Sequence, residues 1–432
     1  MSAAAPLSAP DWRELETLLG AAALRPRELA VCPASVEQAA ALARWAAGRG
    51  CGLVPWSSAS PAFSSAASIP SAGAGPGLRV DLAGLQAVRF YEPQDLTAGF
   101  EAGIGLAAAA AALAARGQFL PLDVARAAGR NLGSALGGHA FGPLRQAYGS
   151  LRDFTIGIEF ISGRGEIVHA GGRVVKNVAG YDLMKLLIGS RGSLGLIVAA
   201  NFRVFPRPAL TATLLLRLPD LASAEHLRAA MQASWLRPLS FELATQAPDS
   251  APAAAPDGAG FWAAIRFSGS EAVLARCRKD LERLAGGLGL PMETVPAETE
   301  AEFWQAWNAW PQSLPGAWLK LAAAPALAAG ALAACAALLP GLRFQGRLGL
   351  GLFSLHLPEL VSAPLAECRR RLRRLSGPGW SGGADAFLTW PDAATAADRW
   401  GELGQDRELM RQLKMELDPH RIFPDPFGLV SE

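Results

Sequence analysis

At 432 residues, 51% of them hydrophobic, and with a formal net charge of +2, the chain has material for two or three packed domains and no electrostatic footprint for nucleic acid. Arginine greatly outnumbers lysine and alanine is abundant, which reads as genomic base composition rather than a binding surface; Lys176 and Lys185 stand out among the few lysines. The five cysteines, Cys32, Cys51, Cys277, Cys335 and Cys368, are scattered without a C-x-x-C pair, and MSAAAPLSAPDWRELE has no basic segment followed by an apolar run, so the expectation is a reducing, cytoplasmic setting with no iron–sulfur cluster held by this chain alone.

After an N-terminal arm over 1–28, residues 33–50 predict an amphipathic helix entered through Ser35, with Gln38 placed for a capping box and Gly50 closing it. A short strand over 52–55, a Ser/Ala/Pro/Gly loop to Gly77 and a strand over 78–82 complete a βαβ-like subdomain. Strands over 87–91 and 96–101 and an alanine-rich helix over 106–116, ended by Gly117, open a larger one. A hairpin over 154–170 turns at Ser162-Gly163-Arg164-Gly165, with Phe154, Ile156, Ile158 and Phe160 on one face.

The stretch GGRVVKNVAGYDLMKLLIGSRGSLGLIVAANFRVFPRP, 171–208, chains several backbone devices. A basic strand-and-turn runs into a short helix with Asp182 as N-cap and Gly189 at its end. Gly192 and Gly195 then bracket a tight turn into a strand whose apolar face is Leu196, Val198, Ala200, Phe202 and Val204, stopped by Pro206. Glycines this close let a backbone approach a flat or phosphorylated ligand, or else simply turn the chain between two core strands.

Beyond Pro208 the order strand 210–218, helix 223–235, strands 239–244 and 261–267, helix 271–285 and strand 292–295 is βαββαβ. The linker APDSAPAAAPDGAG between its two middle strands is low in complexity. The same order recurs as strand 317–321, a helix after Pro325, hairpin 342–357, helix 362–375 and strand 386–390, so two ferredoxin-like halves are expected to form one wide antiparallel sheet with helices on one face. The apolar stretch 321–339 holds Pro325 and Gly330 and reads as a buried helix rather than a transmembrane segment.

Joined to GPLRQAYGSLRDFTIGIEFISGRGEIVHAGG just upstream, the 171–208 stretch resembles the FAD-binding domain of the vanillyl-alcohol oxidase and p-cresol methylhydroxylase (PCMH-type) superfamily, most closely the FAD-binding subunits of bacterial glycolate oxidase. The likeness extends more thinly over 33–208 and echoes in LKMELDPHRIFPDP near the C-terminus. It implies an α+β fold: a PCMH-type FAD-binding domain of two α+β subdomains over 29–208, a ferredoxin-like antiparallel-sheet cap over 209–404, and a C-terminal segment, 405–432, returning to the first domain.

The resemblance also implies cofactor positions. Where the family's first loop reads like Arg-Gly-Gly-Gly-Ser, this chain has Pro55-Trp56-Ser57-Ser58-Ala59-Ser60, with no glycine; the hydroxyls of Ser57, Ser58 and Ser60 are substitute donors. The second segment, similar to Thr-Leu-Gly-Gly followed after seven residues by Gly-Pro, is Asn131-Leu132-Gly133-Ser134 with Gly142-Pro143 in register, Asn131 being either a ligand donor or a turn residue. The third, Gly192-Ser193-Leu194-Gly195-Leu196-Ile197, fits without loss, and its backbone is expected to face the flavin.

Departures from the catalytic pattern point to a supporting role. Where related hydroxy-acid dehydrogenases carry an arginine before the lysine and a threonine before Gly-Tyr, this chain has Val175 and Ala179; a cap segment H-x-G-D-G-N-x-H is absent. His139, His169, His226, His356 and His420 lie far apart in sequence, each read as a surface or hydrogen-bonded core residue, and no metal site is expected. Lys176, Asn177, Tyr181 and Asp182 become structural or cofactor-adjacent, Arg145 fits the family's Gly-Pro-x-Arg, and Arg152 with Asp153 reads as an ion pair holding the hairpin. No catalytic residue is assigned. Two readings remain: an FAD-binding accessory subunit of a glycolate oxidase-like, 2-hydroxy-acid oxidoreductase complex, working beside a second flavoprotein subunit and an iron–sulfur subunit and cytoplasmic or peripheral at the inner membrane through them, or a scaffold subunit of the same fold that has lost FAD.

Overall fold

The structure, a computed structural model, describes residues 7–56, 77–124, 129–174, 181–248, 260–313, 317–357, 367, 385–390, 406–426 and 428–430. Helix α1 (Ala9–Leu19) lies within the N-terminal arm and opens on a reciprocal pair in which Asp11 accepts from the Ser8 N–H at 2.8 Å and Ser8 Oγ from the Asp11 N–H at 3.4 Å. Short strands β1 (Leu24–Arg25) and β2 (Ala30–Val31) lead to α2 (Val36–Arg49), then β3 (Gly52–Trp56) and β4 (Gly77–Asp81). The sheet order is β1-β2-β4-β3, with β4 parallel to both β2 and β3, so α2 is the crossover of a βαβ unit. Ser35 caps α2 as expected, and Gly50 ends it at φ +62°. Gln38 accepts from the N–H of Ala34, one residue ahead of the usual capping-box partner.

The second sheet is built from β5 (Val88–Glu92), β6 (Thr97–Glu101), β8 (Thr155–Ile161), β9 (Ile167–Gly171) and β10 (Leu196–Arg203), in the order β5-β6-β10-β8-β9. Between β6 and β8 come α3 (Leu106–Ala114), β7 (Gln118–Phe119), α4 (Leu132–Gly137), α5 (Arg145–Tyr148) and α6 (Leu151–Phe154); α7 (Leu183–Leu187) precedes β10. Central β10 is buried on both faces, Ile197 and Ala199 as well as Val198, Ala200 and Phe202, so its run of apolar residues is nearly continuous. Phe154 ends α6 rather than opening the strand, yet its ring still packs near Phe202 and Phe205. Pro206 does not merely stop the chain: β11 (Phe205–Pro206) pairs with β7.

The cap is a single eight-stranded sheet of β12 (Thr211–Leu218), β13 (Ser240–Ala244), β14 (Phe261–Ser268), β15 (Met292–Thr294), β16 (Ala317–Ala322), β17 (Arg343–Arg347), β18 (Leu352–Leu357) and β19 (Asp385–Trp390). Their order, β15-β12-β14-β13-β17-β18-β16-β19, is two mirrored ferredoxin-like halves joined through β13 and β17. Helices α8 (Leu221–Ala233), α9 (Glu271–Gly287) and α11 (Ala328–Leu338) cover one face, packing on Leu214, Leu216, Ile265, Leu319 and Leu321. The expectation of helices on one face alone is corrected by α10 (Glu300–Ser313), which brings Phe303, Trp304 and Trp307 against Leu215, Trp262 and Ala264 on the opposite face. The period of two sends Leu319 and Leu321 to one side and Lys320 to the other, and likewise separates Leu243 from Glu242 and Phe344 from Arg347.

The 321–339 stretch divides into the end of β16, one 3₁₀ turn and α11, and among the described residues no helix is long and apolar enough to cross a membrane. The chain then returns through α12 (Asp406–Leu417), after which the N–H of Leu53 donates to Ile422 O at 2.6 Å and that of Gly163 to Leu417 O at 2.8 Å. The helix expected over 362–375 is outside the described residues but for residue 367, and the linker over 247–260 is outside them but for residues 247, 248 and 260.

Candidate functional site

A cleft open to solvent lies where the two sheets of the first domain meet. Pro55 and Trp56 come from the end of β3, Val80 and Leu82 from β4 and the residue beyond it, and Leu196 and Ile197 from the start of β10. Asn131, Gly133, Ser134 and Gly137 of the α4 segment and Gly192 and Gly195 of the following loop complete it. Asn131 caps α4, its Oδ1 accepting from the Ser134 N–H at 2.8 Å, while the N–H of Gly133 donates to Ala102 O at 2.6 Å and fastens the turn to β6. The loop is tied to α4 in turn: the N–H groups of Gly189 and Arg191 donate to Leu136 O and Gly137 O, each at 2.9 Å. Gly192 adopts φ +76°, and a Cβ there would stand 2.6 Å from Pro55 Cγ, so a side chain would hold the two walls apart.

A flat, largely apolar ring with polar edges fits this cleft. Its walls are aliphatic and aromatic, glycine backbone closes two sides, and the buried Trp56 Nε1 has no hydrogen-bond partner among the described residues, leaving a donor for a ligand.

Of the positions inferred from the sequence, Asn131, Gly133, Ser134, Gly192, Gly195 and Ile197 line the cleft together. Leu132 and Ser193 are buried beside it; Ser193 Oγ donates to Ser190 O, and Ser193 O accepts from Lys414 Nζ at 2.7 Å. Gly142 stands apart, pressed so closely on Asp123 that a Cβ would lie 2.0 Å from its carbonyl oxygen. Ser57, Ser58, Ala59 and Ser60 lie outside the described residues, as do Val175, Lys176, Asn177 and Ala179. Asp182 caps α7 and pairs with Lys185 at 2.7 Å on the surface, and Tyr181 is 93% exposed. Arg152 and Asp153 do not hold one another: Arg152 Nη2 donates to Ile188 O at 2.7 Å, while Asp153 accepts from the N–H and Oγ of Ser150 at the start of α6. The acid is spent on a helix cap and the arginine on a helix end, which overturns the ion-pair reading.

A second cluster lies between the first domain and the cap, centred on Phe141. Arg145 Cζ stands 4.3 Å from that ring's centroid, Arg347 Cζ 5.1 Å and Lys320 Nζ 5.4 Å, with the His139 ring edge-on at 5.7 Å. Arg347, on β17, reaches both domains, its Nε lying 3.4 Å from Glu242 Oε1 and donating to Gly142 O at 3.2 Å. Burial, then the charges of Arg191, Arg347, Arg130 and Arg145, push the Lys320 amine down to about 7. Burial pushes Asp123 up to about 7, against the pull of the Leu144 N–H and Arg347, and raises Glu242 as well. His139, a non-glycine residue at φ +47°, is pushed down to about 3 by burial and by Arg152, Arg145 and Lys320, so its ring is neutral; its buried Nε2 has no hydrogen-bond partner among the described residues. Sequence reasoning missed Lys320, Arg347 and His139 as site residues. The alternation Leu319-Lys320-Leu321 was a usable signal, since it turns a lysine away from the apolar face; nothing in sequence marks the other two. Among the described residues no group of histidines, cysteines and acids could hold a metal ion.

This architecture is that of a PCMH-type FAD-binding domain followed by an antiparallel-sheet cap, and residues 27–171 match the family described as an FAD binding domain. Similar proteins include a D-2-hydroxyglutarate dehydrogenase of Stutzerimonas stutzeri (strain A1501), 31% identical over 193 residues, 45% of this chain and 40% of that protein. The glycolate oxidase subunit GlcE of Escherichia coli (strain K12) is 38% identical over 125 residues, 29% of this chain and 36% of that one. The glycolate oxidase subunit GlcD of Bacillus subtilis (strain 168) is 30% identical over 155 residues, 36% and 33% of the two chains. The matched stretches span less than half the length of each of these relatives. In three dimensions an alkyldihydroxyacetonephosphate synthase superposes with a TM-score of 0.64 at 16% identity, covering 91% of this chain and 76% of that one, which extends the likeness in fold through the cap.

Proposed function

We propose that the protein is an FAD-binding accessory subunit of a glycolate oxidase-like complex that oxidises a 2-hydroxy acid. The observation that carries the reading is the convergence of the Asn131–Ser134 segment, the Gly192–Ile197 segment and the end of β3 on one apolar cleft whose Trp56 Nε1 awaits an acceptor. In the reading, the FAD-binding domain spans 29–208, the cap 209–404 and the returning segment 405–432. Flavin bound here supplies a hydride acceptor. The chain's own contributions are the dry walls at Pro55, Val80, Leu82 and Ile197, which exclude water, and the backbone of Gly133, Gly192 and Gly195, which lets the ring approach. Ser57, Ser58, Ala59 and Ser60 take the pyrophosphate.

Relatives named as glycolate oxidase subunits and as hydroxy-acid dehydrogenases support 2-hydroxy-acid chemistry and membership of a complex. With Val175 and Ala179 in place of an arginine and a threonine, turnover depends on partners: a second flavoprotein subunit and an iron–sulfur subunit, in the cytoplasm or at the inner membrane through them. The glycine-free stretch 57–60 favours one alternative, a scaffold of this fold that no longer binds FAD. The visible absorption spectrum of the protein, purified alone and co-expressed with those partners, separates the two: flavin on the chain alone, or flavin in the complex beyond what the partner flavoprotein binds by itself, supports the first reading, and no flavin beyond the partner's own supports the scaffold. Robust flavin-dependent oxidation of glycolate or lactate by the chain alone would overturn the accessory role.

A further inference from the structure

Helices α8 and α9 pack on the face of the cap sheet opposite Lys320, and between the end of α8 and the C-terminal half of α9 runs a groove that looks away from the flavin domain. Trp235, just beyond α8, lines it and is 46% exposed; Leu288, just beyond α9, lines it and is exposed as well. The indole is held in place: its Nε1 donates to Asp280 Oδ2 at 2.9 Å, and Arg276 Cζ stands 4.9 Å from its ring centroid. A Cβ on Gly287 would meet nothing within 4 Å, so there is open room over the last turn of α9.

Charge in the groove is one-sided. Arg276, Lys279 and Arg283 line it against a single carboxylate, that of Asp280. That carboxylate is already committed, 3.0 Å from Arg283 Nη1, 3.6 Å from Arg276 Nε and accepting from the indole. Glu282, the next acid along α9, turns to Arg278 at 3.2 Å, and Lys279 has no carboxylate within ion-pairing distance among the described residues. The side chains of Arg276 and Arg283 remain 72% and 71% exposed, which leaves N–H donors of both free for a second acid. A fixed, half-exposed tryptophan ringed by arginines has the make-up of a protein-docking hot spot, since both side chains bury much area and keep a polar handle. A lipid surface fits less well, because these groups line a concavity and a bilayer is met by a protruding face.

We propose that this groove docks an acidic segment of a partner protein, with an apolar side chain of the segment seated on Trp235 and Leu288 and its carboxylates on Arg276, Lys279 and Arg283. A partner held here approaches from the side away from the flavin domain. The inference goes beyond the flavin reading and does not depend on it.

The test is fluorescence anisotropy of a labelled peptide, Glu-Glu-Glu-Leu-Leu-Glu-Glu-Glu, titrated with the full-length protein at low ionic strength. Two companions carry glutamine for every glutamate, or serine for both leucines. The first peptide is expected to bind about tenfold more tightly than either companion. Lys279→Glu, a change at an exposed side chain that leaves Trp235 and Asp280 in place, should weaken it about tenfold, while Lys279→Arg retains it. Leu288→Ser should erase the advantage of leucine over serine; where that variant fails to fold, the serine peptide on wild type reads the same contact. No preference for the glutamate peptide over the glutamine one, or a preference that survives Lys279→Glu in folded protein, would overturn the proposal. Equal binding of the leucine and serine peptides would overturn it too, as would tighter binding of phosphatidylglycerol vesicles than of the peptide, which would assign the basic groove to a lipid surface.

Discussion

Lys414 offers the sharpest test of how the C-terminal segment holds the cleft. It is fully buried, and its ammonium donates to Asp418 Oδ2, to Ser193 O at 2.7 Å and to Phe423 O at 3.1 Å. Asp418, equally buried, also accepts from the N–H groups of Ile422 and Phe423, each at 2.9 Å. Lys414→Met keeps the volume of the stem but leaves Asp418 buried without its counter-charge, a loss of about 3–5 kcal/mol. For a unit the size of the flavin domain this corresponds to a fall in Tm on the order of 10 °C. Because the C-terminal segment also accepts from Leu53 and Gly163, those two amides should lose hydrogen-exchange protection ahead of the β10 core. Lys414→Met/Asp418→Asn removes the stranded charge and should be more stable than the single variant, short of wild type by the lost bonds to the Ser193 and Phe423 carbonyls, about 1–3 kcal/mol. A Lys414→Met protein with unchanged Tm and unchanged protection at Leu53 and Gly163 would refute the reasoning.

Gly192→Ala places a Cβ against Pro55 at φ +76° and should cost at least about 1–2 kcal/mol in urea unfolding, with a lower flavin-to-protein ratio than wild type. Asp123 is raised to about 7 by burial, so its contribution to stability is complete below the ordinary carboxylate range and is lost as pH rises through about 7. Facing it are Arg347 and Glu242, and Asp123→Asn should raise Tm relative to wild type at about pH 8 and leave it unchanged at about pH 4. Trp307, fully buried under the cap sheet with Nε1 3.5 Å from Glu242, should cost about 3–5 kcal/mol as Trp307→Ala, read as an earlier cap transition in denaturant.

Much of the fold is legible in sequence because local chemistry decides it. Ser35 and Gly50 bound α2, Asp182 caps α7, and the alternating strands after Pro208 spell two βαββαβ units that pair as expected. Helix α10 escapes a sequence reading because its tryptophans are spaced to fill the second face of a sheet, and the need for that cover exists only once β12 and β14 are paired. In the site, the cleft-lining backbone of Gly192 and Gly195 can be inferred from spacing, since a tight turn at positive φ favours glycine, whereas Gly133 is reached only through the family resemblance.

What the order of residues could not reveal is which distant side chains meet. Arg152 and Asp153, adjacent in the chain, turn to different partners because a helix cap claims one and a helix end the other. Arg145 and Lys320, far apart in sequence, meet on Phe141 because the cap folds back over the flavin domain. Sequence by itself determined the elements and the glycine turns, through local sterics and periodicity; the charge of the space between the domains is set by packing, because Coulomb energy depends on separation and burial that only tertiary structure defines.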